Sequence, residues 1–204
     1  MKIYQFDMSP NVKRVRIVAN EVGEPFTIVT LDPMKGEHMA PDFVAKNPNH
    51  KVPTVELDDG SVLWESAAIC LYLASKYPEK KLVSADPRAR AEIAKWMFWN
   101  ASHLEAALFT ILLEKLFAKF VYGRDASEIK LKDAQADVDR FAPILNAQLE
   151  GHPYVAGNDF SIADICIGST LEFAIQTGNF DIAPYKHAAA WLGKLQARDA
   201  WKKS

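Results

Sequence analysis

The chain has 204 residues, about half of them apolar (49%), so it can bury a full core as one large or two small domains, and its composition excludes disorder. Its 24 basic and 26 acidic residues nearly cancel and form no long single-sign run, which excludes the electrostatic footprint of a nucleic-acid-binding protein. No run of about 18 apolar residues suits a membrane span, and "MKIYQFDMSPN" lacks the apolar core and cleavage site of a signal peptide, so the sequence predicts a cytoplasmic protein with no membrane partner.

The first predicted element is a strand over "KIYQF", in which Tyr4 reads as packing. It runs through Ser-Pro-Asn into a helix. Val15, Val18, Ala19 and Val22 fall at i, i+3, i+4 and i+7, leaving Lys13, Arg16 and Asn20 on other faces. Ser9 suits the N-cap, Pro10 the first turn and Gly23 the end. On these residues alone Ser9 is either a cap or a group that does chemistry. A strand "FTIVTL" follows, then a short helix near "APDFVAK", then "TVEL" and "SVLW", joined as a hairpin through Asp58-Asp59-Gly60. A helix from about Ser66 to Lys76 carries Ile69, Tyr72 and Leu73 inward. The order βαβαββα predicts an α/β domain over residues 1–77: a parallel start, an antiparallel edge, and helices on the faces.

Residues 78–87, "PEKKLVSADP", have the prolines and unpatterned charges of a linker. From 88 to 204 the apolar spacing is helical, predicting an all-α bundle. Its segments run from about Pro87 to Tyr122, Ser127 to Leu149, Ser161 to Gln176 and Pro184 to Trp201. Pro143 removes a backbone donor inside the second segment and is expected to kink it or end it early. In "FSIADI", Ser161 and Asp164 have the spacing of a capping box, a folding device. Cys70 and Cys166 each lie in an apolar helical pattern and read as buried free thiols, with no structural metal.

Three polar groups stand at strand ends and helix starts of the first half, where open α/β sheets place their ligands. These are Ser9 with Asn11, the Val52-Pro53 step in "HKVPTVEL", and Glu65-Ser66 in "WESAAI". The last is either a cap or a helix N-terminus able to bind a carboxylate. In the helical half, Trp96, Phe98, Trp99, His103 and Phe109 recur at helical spacing, and such aromatics read as core. Among apolar neighbours, His103 is either a satisfied core group or a substrate contact.

Together, Ser-Pro-Asn-Val-Lys-Arg-Val at 9–15, Asn-Pro at 47–48, Val-Pro at 52–53, Glu-Ser at 65–66 and "SIADI" at 161–165 resemble the glutathione S-transferases, in a form similar to the phi, tau and theta classes and their bacterial relatives. Each motif is short; their order and spacing are specific and span nearly the whole chain. The resemblance implies a thioredoxin-like glutathione-binding domain followed by a helical domain contributing the electrophile pocket. It implies a homodimer and glutathione as co-substrate.

By the same resemblance, Val52 pairs its backbone with the cysteinyl unit of glutathione, beside a cis Pro53. Ser66 holds the γ-glutamyl carboxylate, and Glu65 orients the neighbouring ammonium. His38 and Lys51 serve the glycyl carboxylate; the phi pattern has Lys where Met39 stands and Gln where Lys51 stands. Trp99 and His103 are candidate substrate contacts. Ser9 aligns with the serine whose hydroxyl donates to the glutathione sulfur, with Asn11 as a rival donor. A thiol of pKa about 8.5 is only roughly 3% ionised at pH 7, and a drop of about two units, about 2.7 kcal/mol, makes the thiolate predominant. One charge-assisted hydrogen bond (about 1.5 to 3 kcal/mol) with a helix N-terminus (about 0.3 to 1) supplies that.

No cysteine precedes Cys70, so the protein-thiol chemistry of omega-type relatives is not expected. Met8-Ser9-Pro10 also lacks the Ser-Ser-Cys of the zeta type. The expected activity is attack by the glutathione thiolate on a small apolar electrophile. The alternative is a glutathione-binding carrier or interaction module without significant transferase activity.

Overall fold

The computed structural model describes residues 1–6 and 8–204. They form two compact units, Met1–Ala85 with Arg198–Ser204, and Asp86–Ala197.

The first unit contains β1 (Lys2–Gln5), α1 (Pro10–Val22), β2 (Thr27–Thr30), α2 (Pro41–Val44), β3 (Thr54–Glu56), β4 (Val62–Trp64) and α3 (Ser66–Lys76). The sheet order is β2-β1-β3-β4. β1 is parallel to β2 and antiparallel to β3, and β4 is antiparallel to β3, as the predicted order requires. Gly60 turns the hairpin at φ 82°, a backbone that side chains resist. α1 begins as its sequence suggests, with the Val12 N–H donating to Ser9 Oγ at 3.4 Å, and ends at left-handed Gly23. Val15, Val18, Ala19 and Val22 are buried, and α1 packs on α3, which buries Ile69, Cys70 and Leu73. Each of these valine, isoleucine and leucine side chains contributes roughly 1.5 to 3 kcal/mol of burial. Tyr72 does not point inward: it is 37% exposed, because the buried stripe of α3 runs through Ser66, Ile69, Cys70, Leu73 and Ala74 and leaves position 72 beside it.

The second unit begins with a segment that periodicity reads as one long helix. The structure divides it into α4 (Pro87–Trp99), a π-helical turn (Asn100–Leu104), α5 (Glu105–Leu112), a second π turn (Leu113–Phe117) and α6 (Ala118–Tyr122). A π turn takes an extra residue and so rotates the faces that follow it. Trp96 is buried as expected, but Phe98 and Phe109 are 72% and 51% exposed, which corrects their reading as core.

α7 (Glu128–Gly151), α8 (Ile162–Gln176) and α9 (Lys186–Gln196) complete this unit. α7 does not end early at Pro143. Pro143 is exposed while Phe141, Ala142 and Leu145 are buried, so the missing donor falls on the solvent side of a helix held by its apolar face. α8 is buried along almost its whole length. It starts at the capping box: the Ala163 N–H donates to Ser161 Oγ (3.3 Å) and the Ser161 N–H to Asp164 Oδ2 (2.9 Å). Cys70 and Cys166 are buried free thiols. Among the described residues, no helix is long and apolar enough to cross a membrane.

The final turn, α10 (Asp199–Lys202), belongs to the first unit rather than to the helical one, and packs on α1. Local periodicity groups residues 198–204 with the helices before them; their partners lie far away in sequence.

Candidate active site

Strand register brings the candidate residues of the first unit to one end of the sheet. Tyr4 pairs with both Val29 and Thr54, and Thr54 pairs with Trp64. The exit of β1 toward Ser9, the exit of β2 toward His38, the entry of β3 after Val52-Pro53 and the exit of β4 into Glu65-Ser66 therefore share that end. Trp99 and His103 lie in the other unit.

Ser9 is half-buried, and its Oγ accepts from the Val12 N–H, which leaves the hydroxyl proton free to donate elsewhere. Asn11 faces a different partner: the Ser66 hydroxyl donates to Asn11 Oδ1 at 3.2 Å. Tyr4 is no rival for a sulfur. Its hydroxyl donates to Glu56 Oε2 (3.0 Å), and burial followed by the Glu56 hydrogen bond raises its pKa. Glu56 also accepts from Lys2 (2.7 Å) and Lys46 (2.8 Å), and these cations, with Tyr4, lower its carboxyl to about 2.

The Val52–Pro53 peptide bond is cis. The loop before it is organised by Asn47, 2% exposed, whose Nδ2 donates to the Lys51 carbonyl (2.9 Å) and to Thr54 Oγ1 (2.9 Å). Its Oδ1 accepts from the Asn49 N–H (2.9 Å). Lys51 is exposed, Val52 half-buried and Pro53 buried. The preceding His50 takes φ 56°, uncommon outside glycine. Among the described residues its Nδ1 is buried without a hydrogen-bond partner, and so is Nδ1 of His38, whose ring meets Phe6 edge-on at 5.7 Å. A buried ring nitrogen of this kind is an unfilled polar position.

Glu65 also has positive φ, 70°, with its side chain exposed at the entry to α3. A non-glycine residue there costs on the order of 1 to 3 kcal/mol, and such strain clusters at ligand clamps. Ser66 follows, buried, as the first residue of α3, where backbone N–H groups and the helix dipole favour an anion. Behind it stands Arg14, 2% exposed, with Nη1 3.4 Å from Ser66 Oγ.

Sequence reasoning missed Arg14, His50 and Asn47 as parts of this site. Arg14 reads as one more surface cation beside Lys13. A positive φ at His50 leaves no mark in residue type. Asn47 had a visible signal, since an Asn-Pro step favours a turn.

In the second unit, His103 is exposed rather than in the core, within the first π turn. Its ring stacks on Phe141 (4.7 Å, 21° between planes), and Trp99 meets Phe141 edge-on at 6.1 Å. His103 and Phe141 line a groove of about 630 Å³ with Lys130, Asp133, Asp137 and Arg140. Among the described residues, no group of three or more His, Cys, Asp or Glu side chains could hold a metal ion.

This arrangement can seat an extended anionic ligand along the sheet end, with a hydroxyl donor near one terminus and a helix N-terminus for a carboxylate. The comparisons agree with that geometry. A probable glutathione S-transferase of Oryza sativa subsp. japonica is 32% identical over 100% of this chain and 94% of its own. The solved structure of a glutathione S-transferase domain-containing protein from Marinobacter aquaeolei VT8 superposes with a TM-score of 0.90, at 30% identity over 98% of this chain and 100% of its own. Glutathione S-transferase-I, solved bound with lactoylglutathione, superposes at 0.86, with 27% identity over 99% and 96%. Residues 8–76 match the family model of the glutathione S-transferase N-terminal domain and residues 100–199 that of the C-terminal domain. Sheet order, helical second unit and full-length similarity thus lead to one assignment: the chain belongs to the glutathione S-transferase family.

Proposed function

We propose that this protein is a glutathione transferase in which Ser9 donates a hydrogen bond to the glutathione sulfur and holds it as a thiolate for attack on a small apolar electrophile. The observation that carries this reading is the strand register, which gathers Ser9, Val52-Pro53 and Glu65-Ser66 at one end of the sheet. Ser9 keeps its proton to donate while accepting from Val12, and the N-terminus of α1 adds its dipole. The Val52 backbone pairs with the cysteinyl unit, Ser66 and the start of α3 take the γ-glutamyl carboxylate, and Glu65 takes the ammonium. His38 and Lys51 serve the glycyl carboxylate, with His50 added to them on the strength of its buried, unfilled Nδ1. Asn11, whose Oδ1 accepts from Ser66, orients that serine, and its Nδ2 stays the rival donor to the sulfur.

Residues 1–77 are the glutathione-binding domain, and the helical residues contribute the electrophile pocket, with Trp99 and His103 as its candidate contacts. A cytoplasmic homodimer that needs no metal completes the reading, supported by the family resemblance.

Ser9→Ala is expected to lower turnover at pH 7 by about 10- to 100-fold, from the 1.5 to 3 kcal/mol of one charge-assisted hydrogen bond, while calorimetric glutathione affinity changes little. Unchanged turnover removes Ser9 from the chemistry. Wild-type glutathione binding with no turnover on a broad electrophile panel selects the carrier instead.

A further inference from the structure

The sulfur of the chain lies in five methionines and two cysteines, and burial divides them. Met1, Cys70, Met97 and Cys166 are buried. Met8, Met34 and Met39 are 75%, 72% and 57% exposed, although methionine is among the residue types most often buried. All three belong to the loops that leave the parallel strands β1 and β2 at the end of the sheet carrying Ser9. Met8 directly precedes Ser9, in a turn closed by the Ser9 N–H donating to the Phe6 carbonyl at 3.2 Å. The second loop is held by Asp32: Oδ1 accepts from the Met34 N–H (2.9 Å), and the Asp32 N–H donates to Glu37 Oε2 (2.7 Å). Further along it, the Met39 N–H donates to the Gly36 carbonyl at 2.8 Å. The edge-on contact of Phe6 with His38 joins the two loops. Every exposed sulfur thus stands on one pair of joined, hydrogen-bonded loops beside Ser9.

We propose that Met8, Met34 and Met39 form an oxidation site at the rim of the active site, where a hydroperoxide reversibly lowers affinity for apolar electrophiles. A thioether lone pair attacks the distal oxygen of hydrogen peroxide or an organic hydroperoxide and the O–O bond breaks. Sulfur, oxidised by two electrons, becomes a sulfoxide, and water or an alcohol leaves with the proton. The reaction follows exposure, so burial protects Met97 and both cysteines from the same oxidant. It replaces a flexible, polarizable apolar side chain by a polar one. Next to Ser9 that change opposes the apolar body of an electrophile, while the glutathione contacts assigned to Val52 and Glu65-Ser66 stay as they are. The effect on activity rests on the reading of Ser9 as the sulfur's partner; the selectivity among sulfurs does not.

The full chain is treated with hydrogen peroxide in the absence of glutathione, the peroxide is removed, and peptides are mapped by mass spectrometry. Oxygen is expected at Met8, Met34 and Met39 about tenfold faster than at Met97, with Cys70 and Cys166 unmodified. The assay uses benzyl chloride, in which the glutathione thiolate forms the C–S bond as chloride leaves with the C–Cl electron pair. KM for this electrophile is expected to rise about fivefold on oxidation, while calorimetric glutathione affinity changes by less than about twofold. Methionine sulfoxide reductase should restore the original KM. The combined variant Met8→Leu, Met34→Leu, Met39→Leu, which alters only exposed positions, should keep its own untreated KM after peroxide. Oxidation of Met97 or the cysteines as fast as the three methionines overturns the site. So does an unchanged KM in oxidised protein, or a loss that persists in the leucine variant. Untreated protein that turns over no member of a broad electrophile panel overturns the transferase reading instead, and the peptide map still decides which sulfurs the oxidant reaches.

Discussion

At Asp164, four donors converge on one carboxylate. The Val155 N–H and the Trp191 indole N–H both donate to Oδ1 at 2.9 Å, and the Ser161 N–H (2.9 Å) and hydroxyl (3.1 Å) donate to Oδ2. Burial pushes the carboxyl up against these four bonds. Asp164→Ala leaves every one of those donors without its acceptor inside the helical unit and is expected to cost about 3 to 5 kcal/mol in urea unfolding. Asp164→Asn keeps one acceptor oxygen and is expected to lose about half as much; equal losses would show that packing rather than hydrogen bonding sets the cost. The Ser161–Asp164 half of this arrangement was legible in the sequence, because a capping box is a spacing. Val155 and Trp191 were not, since they approach through the fold. The same division holds at the candidate site. Ser9 and Ser66 announce themselves as helix starts, whereas Arg14 differs from an ordinary surface cation only in what surrounds it.

The second π turn depends on an ion pair that no periodicity reveals. Glu114, in that turn, is 3% exposed and accepts from Arg124 through both oxygens (2.8 and 2.6 Å) and from the Ser127 N–H (2.8 Å) at the start of α7. Arg124, then the Ser127 N–H, hold its carboxyl at about 2 against an ordinary 4.5. The unfolded chain takes up this proton first as pH falls, so the stabilisation is full above about pH 4.5 and is lost as pH falls through about 2. Glu114→Gln is expected to be less stable than wild type at pH 7 and to show a shallower fall in urea midpoint between those values. Parallel pH profiles for the two proteins would remove Glu114 from the acid response. Apolar spacing correctly marked the region from Pro87 to Tyr122 as helical. It could not place the two π turns, because a turn with an extra residue keeps helical composition while rotating the exposed face, which is how Phe109 came to be misread; Phe98 precedes both turns and lies off the Ile93, Trp96 and Met97 stripe that α4 buries.

Across the whole molecule, residues far apart in sequence complete the first unit. Arg198 meets Glu21 through Nε (2.6 Å) and Nη2 (2.9 Å), Asn20 Nδ2 donates to the Ala200 carbonyl (3.2 Å), and Trp201 is 3% exposed with Lys13 Nζ 5.9 Å from its ring. Trp201→Ala is expected to cost about 3 kcal/mol, felt first by α1. Hydrogen exchange should then show α1 amides losing protection while those of α8 keep theirs; uniform loss would mean that the two units unfold as one. The two-part layout was legible because periodicity changes from strand-and-helix to helix alone near residue 88. The return of residues 198–204 was not, because a pattern read in windows carries no information about contacts some 180 residues apart.

That return also sets an order of events during synthesis. A ribosome that has released residues 1–85 has supplied the sheet and the helices of the first unit but not Arg198, Ala200 or Trp201, which follow only after the entire helical unit. Domains generally fold as they emerge, N-terminal ones first. Here the unit that starts first is finished last, and the α1 surface that receives Trp201 waits, open to solvent or to a chaperone, while more than a hundred further residues are translated.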